Sequence, residues 1–246
     1  MDHIDFILLI YLLPLLDRMM GADIRLVTPG TYARVGSVAL TEQLATDLRK
    51  EGRNPYIIPV GGSCALGCFG YLDAVDEMIN QGFEFDHLVF ACGSGGTAAG
   101  LAIGIHLSKH KAKLHAVGVC DSPSYFYNHI NEVAKELGLS NLDAESIISI
   151  YPGQGIGYAR STTEELEFIK KISTTTGIIL DPVYSGKALY HFVTAVQSQP
   201  DVFLKGQKIL FLHTGGQFGL YDKSEQLLPL FDAGLVSKMD VTLPPR

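Results

Sequence analysis

Residues 89–104 read VFACGSGGTAAGLAIG, and the passage from apolar run to glycines to helix in this stretch decides the fold. Leu88 to Ala91 form a strand-like run that stops at glycine, and an Ala/Gly-rich helical segment follows. Gly93, Ser94, Gly95, Gly96 and Thr97 carry little or no side chain. Their amides can therefore close around an anion at the positive end of the helix they open. The segment reads as a phosphate cup. It also satisfies the dinucleotide form G-x-G-x-x-A, and Asp121 ends the next predicted strand, where a ribose-binding carboxylate would sit. Tight strand–helix packing with no ligand is a third reading of the same glycines.

Working outward, apolar runs alternate with helical patterns. Ile24–Thr28, Tyr56–Val60, Leu88–Cys92, Leu114–Cys120 and Ile209–His213 read as buried strands. Helical periodicity covers Ser37–Glu51, Ala65–Gln81, Thr97–Lys109, Tyr125–Leu137, Thr163–Thr175 and Lys187–Gln197. The alternation predicts an α/β protein, a mostly parallel sheet with helices on both faces. Ligands gather at strand carboxyl ends in such folds. Glycine-rich turns stand at three of them: Gly61-Gly62-Ser63, Gly93–Thr97 and Thr214-Gly215-Gly216. The best domain boundary is near Pro59–Gly62.

Composition narrows the function. Apolar residues make up 47% of the 246 positions and charged residues 18%, which suits a folded core and not a disordered chain. A net charge of −7 leaves no basic stripe for nucleic acid. Cys64, Cys68, Cys92 and Cys120 lack C-x-x-C spacing and read as buried reduced thiols of a reducing compartment, the cytoplasm or the mitochondrion. The apolar run Phe6–Leu16, broken by Pro14, is too short to span a bilayer and lacks a basic flank and a cleavage site. An amphipathic or buried helix is expected there, with no membrane role.

Several segments carry chemistry. Asp181-Pro182-Val183-Tyr184-Ser185-Gly186-Lys187 groups a phenol, a hydroxyl and an amine in one short segment. Tyr184 could stack on or protonate a ligand and Ser185 could bond a ring nitrogen, or Ser185 could simply cap a helix. His213-Thr214-Gly215-Gly216 is a weak oxyanion-loop candidate, since no G-x-S-x-G elbow exists. His106, His110 and His115 have loose metal-like spacing, but neighbouring lysines disfavour a cation and a solvated helix end is expected. Glu164 and Glu165 suit a first helical turn.

Five segments together resemble one family: IPVGGSCALGCFGY (58–71), ACGSGGTAAGLAIG (91–104), GYARSTTEEL (157–166), LDPVYSGKALY (180–190) and ILFLHTGGQFGLYDK (209–223). It is the pyridoxal-phosphate-dependent D-cysteine desulfhydrase and aminocyclopropane-carboxylate deaminase family, of the tryptophan-synthase β-like fold type II. The resemblance runs in order from about Leu15 to Lys223. It implies pyridoxal 5'-phosphate as cofactor, a small amino-acid substrate and a homodimer. By position, Gly93, Ser94, Gly95, Gly96 and Thr97 would hold the cofactor phosphate. Tyr184 would lie against the cofactor ring, Tyr158 would be a second active-site tyrosine, and Ser185 and Thr214 would face the pyridine nitrogen. Ring-opening deaminases have glutamate where Ser185 stands. The resemblance therefore leans towards α,β-elimination of D-cysteine to pyruvate, sulfide and ammonia.

The sequence also departs from the family. Members carry a G-G-N-K segment whose lysine forms the cofactor Schiff base, and an S-N-H segment that contacts substrate. No lysine here follows Gly-Gly-Asn, and there is no S-N-H. The resemblance implies a chain that begins inside the smaller domain, with residues 1–60 its remnant and residues 61–246 the large cofactor-binding domain. A truncated, inactive lyase is the expected state. A non-catalytic phosphate-binding or dimerising protein, and a nicotinamide-dependent oxidoreductase, are the alternatives. Cys64 stands where the family usually has asparagine.

Overall fold

A computed structural model describes residues 12–198, 203, 205–231 and 239. Its centre is a sheet of four parallel strands, β1 (His87–Cys92), β2 (Lys113–Gly118), β3 (Ile148–Pro152) and β4 (Ile209–Leu212), in the order β3-β2-β1-β4. The two-residue period of β1 divides the core. Leu88, Phe90 and Cys92 face one layer of helices, while Val89 and Ala91 face the other.

On the first face lie α4 (Ala65–Asn80), α5 (Gly96–Ser108) and α6 (Pro123–Glu136). Residues Ala98 to Ile105 of α5 are all buried, as a helix apolar on every side must be. Its glycines recur every fourth residue along the side that meets α4. A Cβ on Gly100 would run into Tyr71, and one on Gly104 would sit 2.9 Å from Val75 Cγ2. The glycine stripe thus lets two helices approach at backbone distance. On the second face α9 (Ser185–Ser198) packs Ala188 and Phe192 onto Val89, Ala91 and Val117. Beside it, α8 (Thr163–Thr176) is closed by a capping box, Thr162 with Glu165. The remaining helices are α1 (Leu12–Met19), α2 (Pro29–Val35), α3 (Ser37–Lys50), the single-turn α7 (Ala144–Ile147) and α10 (Ser224–Leu227).

Two expected strands are not strands. Ile24–Thr28 and Tyr56–Val60 are irregular, with Tyr56 76% and Ile58 71% exposed. Neither has a ladder partner among the described residues, and Pro55 and Pro59 remove donors that pairing would need. Conversely β3, whose ISIYP carries a serine and a proline, pairs with β2 and sets the sheet's edge. Of the apolar run Phe6–Leu16, residues 1–11 lie outside the described residues. Helix α1 continues it and rests against residues 217–223. Among the described residues no helix is long and apolar enough to cross a membrane.

Candidate functional site

Because the four strands are parallel, the segments that follow them emerge along one edge of the sheet: 93–97 after β1, 119–122 after β2, 153–160 after β3 and 213–216 after β4. The first of these is the glycine cup. Apart from that of Gly95, which faces the Cys92 thiol, the amides of Gly93 to Thr97 donate to no acceptor among the described residues, as expected of a loop running into a helix N-terminus. Gly95 is left-handed at φ 98°, and a Cβ there would lie 2.6 Å from the His129 ring. Both facts demand glycine.

Side chains brace the cup from below. The Ser63 hydroxyl donates to the Ser94 carbonyl at 3.1 Å and lies 2.7 Å from His129 Nε2, which in this arrangement is the protonated ring nitrogen. Burial pushes the His129 pKa down and keeps the ring neutral, against the pull of Glu132 and Glu136. Tyr71 and Thr97 share a hydroxyl–hydroxyl bond of 2.5 Å. The Gly61 turn meets Ser94 directly, since a Cβ on Gly61 would collide with that serine. Two of the glycine turns expected to converge therefore do.

Tyr184 stands against the cup. A Cβ on Gly93 would fall 2.9 Å from Tyr184 Cε1, so this glycine is what admits the ring. The hydroxyls of Tyr158 and Tyr184 lie 2.6 Å apart, with the rings edge to face. Burial and the bond to Tyr158 raise the Tyr184 pKa well above that of a free phenol, so it is protonated at neutral pH. On the same side the Cys120 thiol donates to the Gly93 carbonyl at 2.9 Å.

Ser185 differs from its expected part. It is fully buried as the first residue of α9, and its hydroxyl donates to Asp181 Oδ1 at 2.6 Å while accepting from the Asp181 amide. The cap is the carboxylate of Asp181, which also takes the amides of Val183, Tyr184 and Ser185. Thr214 is exposed, and its neighbour Gly216 packs on the Asp181 side chain. The structure thus brings the cup, Tyr158 and Tyr184 together, places Thr214 on the adjoining turn, and turns Ser185 inward to Asp181.

Other expectations are corrected. His115 is no solvated helix residue; it lies within β2, 2% exposed and bonded to His87. Among the described residues no group of three or more His, Cys, Asp or Glu side chains is placed to hold a metal ion. Cys68 and Cys92 are buried, but Cys120 is exposed. Asp121 caps Ser122 through its own carboxylate, as a turn residue does. Glu165 does more than favour a helix dipole. It is 1% exposed, 2.9 Å from His191 Nε2 and 3.6 Å from Lys187 Nζ. The parts played by Asp181, Ser63, His129 and Lys187 depend on tertiary contacts, and only the Asp181 spacing ahead of a helix start was a usable local signal.

A family model described as pyridoxal-phosphate dependent enzyme matches residues 15–215. The chain is 46% identical over 234 residues to the bifunctional D-cysteine desulfhydrase/1-aminocyclopropane-1-carboxylate deaminase, mitochondrial, of Arabidopsis thaliana, covering 93% of this chain and 57% of that protein. It is 35% identical to a D-cysteine desulfhydrase of Klebsiella pneumoniae, over 73% of this chain and 56% of that one. A crystal structure of an ACC deaminase homologue superimposes with a TM-score of 0.74 at 34% identity, covering 89% of this chain and 66% of the other. The chain spans less than two thirds of the length of these relatives. The α/β architecture is that of fold type II, and the dinucleotide reading of Gly93–Ala98 with Asp121 is set aside.

Proposed function

The chain belongs to the pyridoxal-phosphate-dependent enzyme family, and from that premise we propose that it is a lyase of the D-cysteine desulfhydrase type, acting on D-cysteine to give pyruvate, sulfide and ammonia. The observation that carries the reading is the run of amides from Gly93 to Thr97, all but that of Gly95 without a protein acceptor among the described residues, with the Tyr184 ring set against Gly93. Those residues fit the phosphate of the cofactor: backbone donors at a helix N-terminus, and glycines where side chains would block approach.

When bound, the cofactor supplies an electron sink that eases loss of the substrate's α-proton and its sulfur. The chain's own residues hold and orient. The cup amides take the phosphate, and Ser63 and His129 keep the loop in shape. Tyr184 and Tyr158 share a hydroxyl pair that can hold a proton at the Tyr184 oxygen. Thr214, exposed on the next turn, offers the hydroxyl for the ring nitrogen, because the Ser185 proton is given to Asp181. No glutamate stands at position 185, which favours D-cysteine over aminocyclopropane-carboxylate.

We further propose that the 246-residue chain alone holds the cofactor without a covalent tether and is inactive or nearly so. Lys187, the lysine beside the site in sequence, is fully buried and donates to the carbonyls of Gln154 and Gly157. A reducing compartment, cytoplasm or mitochondrion, suits the four free thiols.

Titrating pyridoxal phosphate into the purified chain, with absorbance recorded before and after borohydride, tests both statements. Saturable binding competed by inorganic phosphate, and lost on dialysis after borohydride, is the expected result. Absence of saturable binding overturns the cup assignment, and a lysine fixed by borohydride overturns the untethered state.

A further inference from the structure

The loop after β3, residues 153–160, is held by two lysine ammoniums in addition to its own backbone turns. Lys187 Nζ, on α9, donates to the carbonyl of Gln154 at 2.5 Å and to that of Gly157 at 3.0 Å. Lys223 Nζ donates to the carbonyl of Ala159 at 2.7 Å. Tyr158 lies between these anchors. Ala159 is left-handed at φ 55°, a conformation disfavoured for a residue with a Cβ that persists only where neighbours impose it. The loop's outer parts are open to solvent, Ile156 being 52% and Tyr158 52% exposed.

Lys187 is an unusual anchor. It is fully buried, and an ammonium withdrawn from water is destabilising unless paired and hydrogen-bonded. Burial accordingly pulls its pKa down, while Glu165 at 3.6 Å supports the charged form. Glu165 is itself fixed by the Thr162 amide and by His191. An apolar residue would fill the same space without this cost. What it could not do is hold two loop carbonyls from three residues beyond Tyr184.

We propose that Lys187 and Lys223 are positioning residues that clamp the 154–159 loop and so set the Tyr158 hydroxyl against that of Tyr184. The clamp rests on the proposed function for its purpose, though its geometry does not. It supplies the site with a fixed pair of phenols on otherwise exposed backbone, and it makes the Lys187 amine structural.

The test uses the full chain labelled with 3-fluorotyrosine and ¹⁹F NMR, the Tyr158 and Tyr184 resonances being assigned from Tyr158→Phe and Tyr184→Phe. In Lys223→Met and in Lys187→Met both resonances should move towards the position of a solvent-exposed phenol, while that of Tyr151, half-buried on the edge strand β3, stays in place. Gly155→Ala gives a third perturbation, which presses on the buried Glu165–Lys187 pair from the loop side, since its Cβ would lie 2.7 Å from Glu165 Oε1 and 3.2 Å from Lys187 Nζ. It should shift the same two resonances even if Lys187→Met fails to fold. Unmoved resonances in folded Lys223→Met and Gly155→Ala proteins overturn the clamp. Movement of the pair on adding pyridoxal phosphate is scored separately, because its absence would count against the proposed function and leave the clamp standing.

Discussion

His115 Nε2 and His87 Nδ1 meet at 2.9 Å inside the sheet, on neighbouring parallel strands. The other nitrogens are also taken: His87 Nε2 lies 3.0 Å from Gln207 Oε1, and His115 Nδ1 lies 3.2 Å from the Tyr151 hydroxyl. The Gln207 oxygen can only accept, so His87 Nε2 carries a proton and His87 Nδ1 must accept. His115 Nε2 then donates, and Tyr151 donates to His115 Nδ1. One direction of donation satisfies the whole chain with both imidazoles neutral.

Stability should therefore fall with acid in a defined window. Burial, with His87 and Lys113 nearby, lowers the His115 pKa from 6.5 to about 4. The unfolded chain takes up this proton first, so the contribution is complete above pH 6.5 and is lost as pH falls from 6.5 towards 4. The slope reaches about 1.4 kcal/mol per pH unit for one such proton. His129 shifts in the same direction and adds to it. Urea midpoints at successive pH values should show the decline, and His115→Phe should flatten it. A wild-type midpoint constant from pH 7 to 5 would contradict the assignment.

Gly100→Ala should destabilise although alanine is the better helix former. Helix propensity favours the change by up to about 1 kcal/mol. The new methyl, however, meets Tyr71 at its Cβ, the part of a side chain that cannot swing away without moving α4. Overpacking of this kind costs typically 1–3 kcal/mol, so a net loss is expected, read from the denaturant midpoint at unchanged slope. Equal or greater stability would mean that α4 and α5 do not pack at this distance.

Much of this was legible in sequence. The stretch 88–104 announced strand, turn and buried helix because burial on every side leaves long apolar runs and no alternation to misread. The six helices expected from periodicity are present with ends displaced by at most two residues. Ile24–Thr28 and Tyr56–Val60 misled because β-branched and aromatic composition cannot report whether a partner strand exists. In the site, glycine at 93, 95 and 96 could be read, since a turn and a close approach require it. Ser185 could not, because its hydroxyl faces either a ligand or Asp181, and that choice is made by tertiary packing.

Gly95→Ala should weaken cofactor binding far more than it weakens the fold. The substituted residue would have to hold φ 98° and push against His129, which shifts the amides on either side of it. A loss of at least tenfold in affinity for pyridoxal phosphate is expected, a tenfold change corresponding to about 1.4 kcal/mol. Inorganic phosphate should lose affinity in parallel, because the damage is to the anion donors. Unchanged binding would place the phosphate elsewhere.

The purified 246-residue chain should release no sulfide from D-cysteine above the rate of free pyridoxal phosphate at the same concentration. That reference is required because the free cofactor promotes the elimination slowly by itself. A positioned general base contributes typically 10²–10⁴-fold, and the amine that would be nearest in sequence is not available for the task. Lys187 is 0% exposed and its ammonium is spent on Gln154, Gly157 and Glu165. Lys170 donates to the Leu230 carbonyl and Lys223 to that of Ala159, so these amines too are committed to backbone oxygens. On the proposed function, a chain that holds the phosphate and two phenols beside the ring without a base at the α-carbon should show binding without turnover. Sulfide produced ten or more times faster than the cofactor background would reverse this conclusion. Borohydride trapping followed by peptide mass mapping would then identify which lysine had leaned into the site.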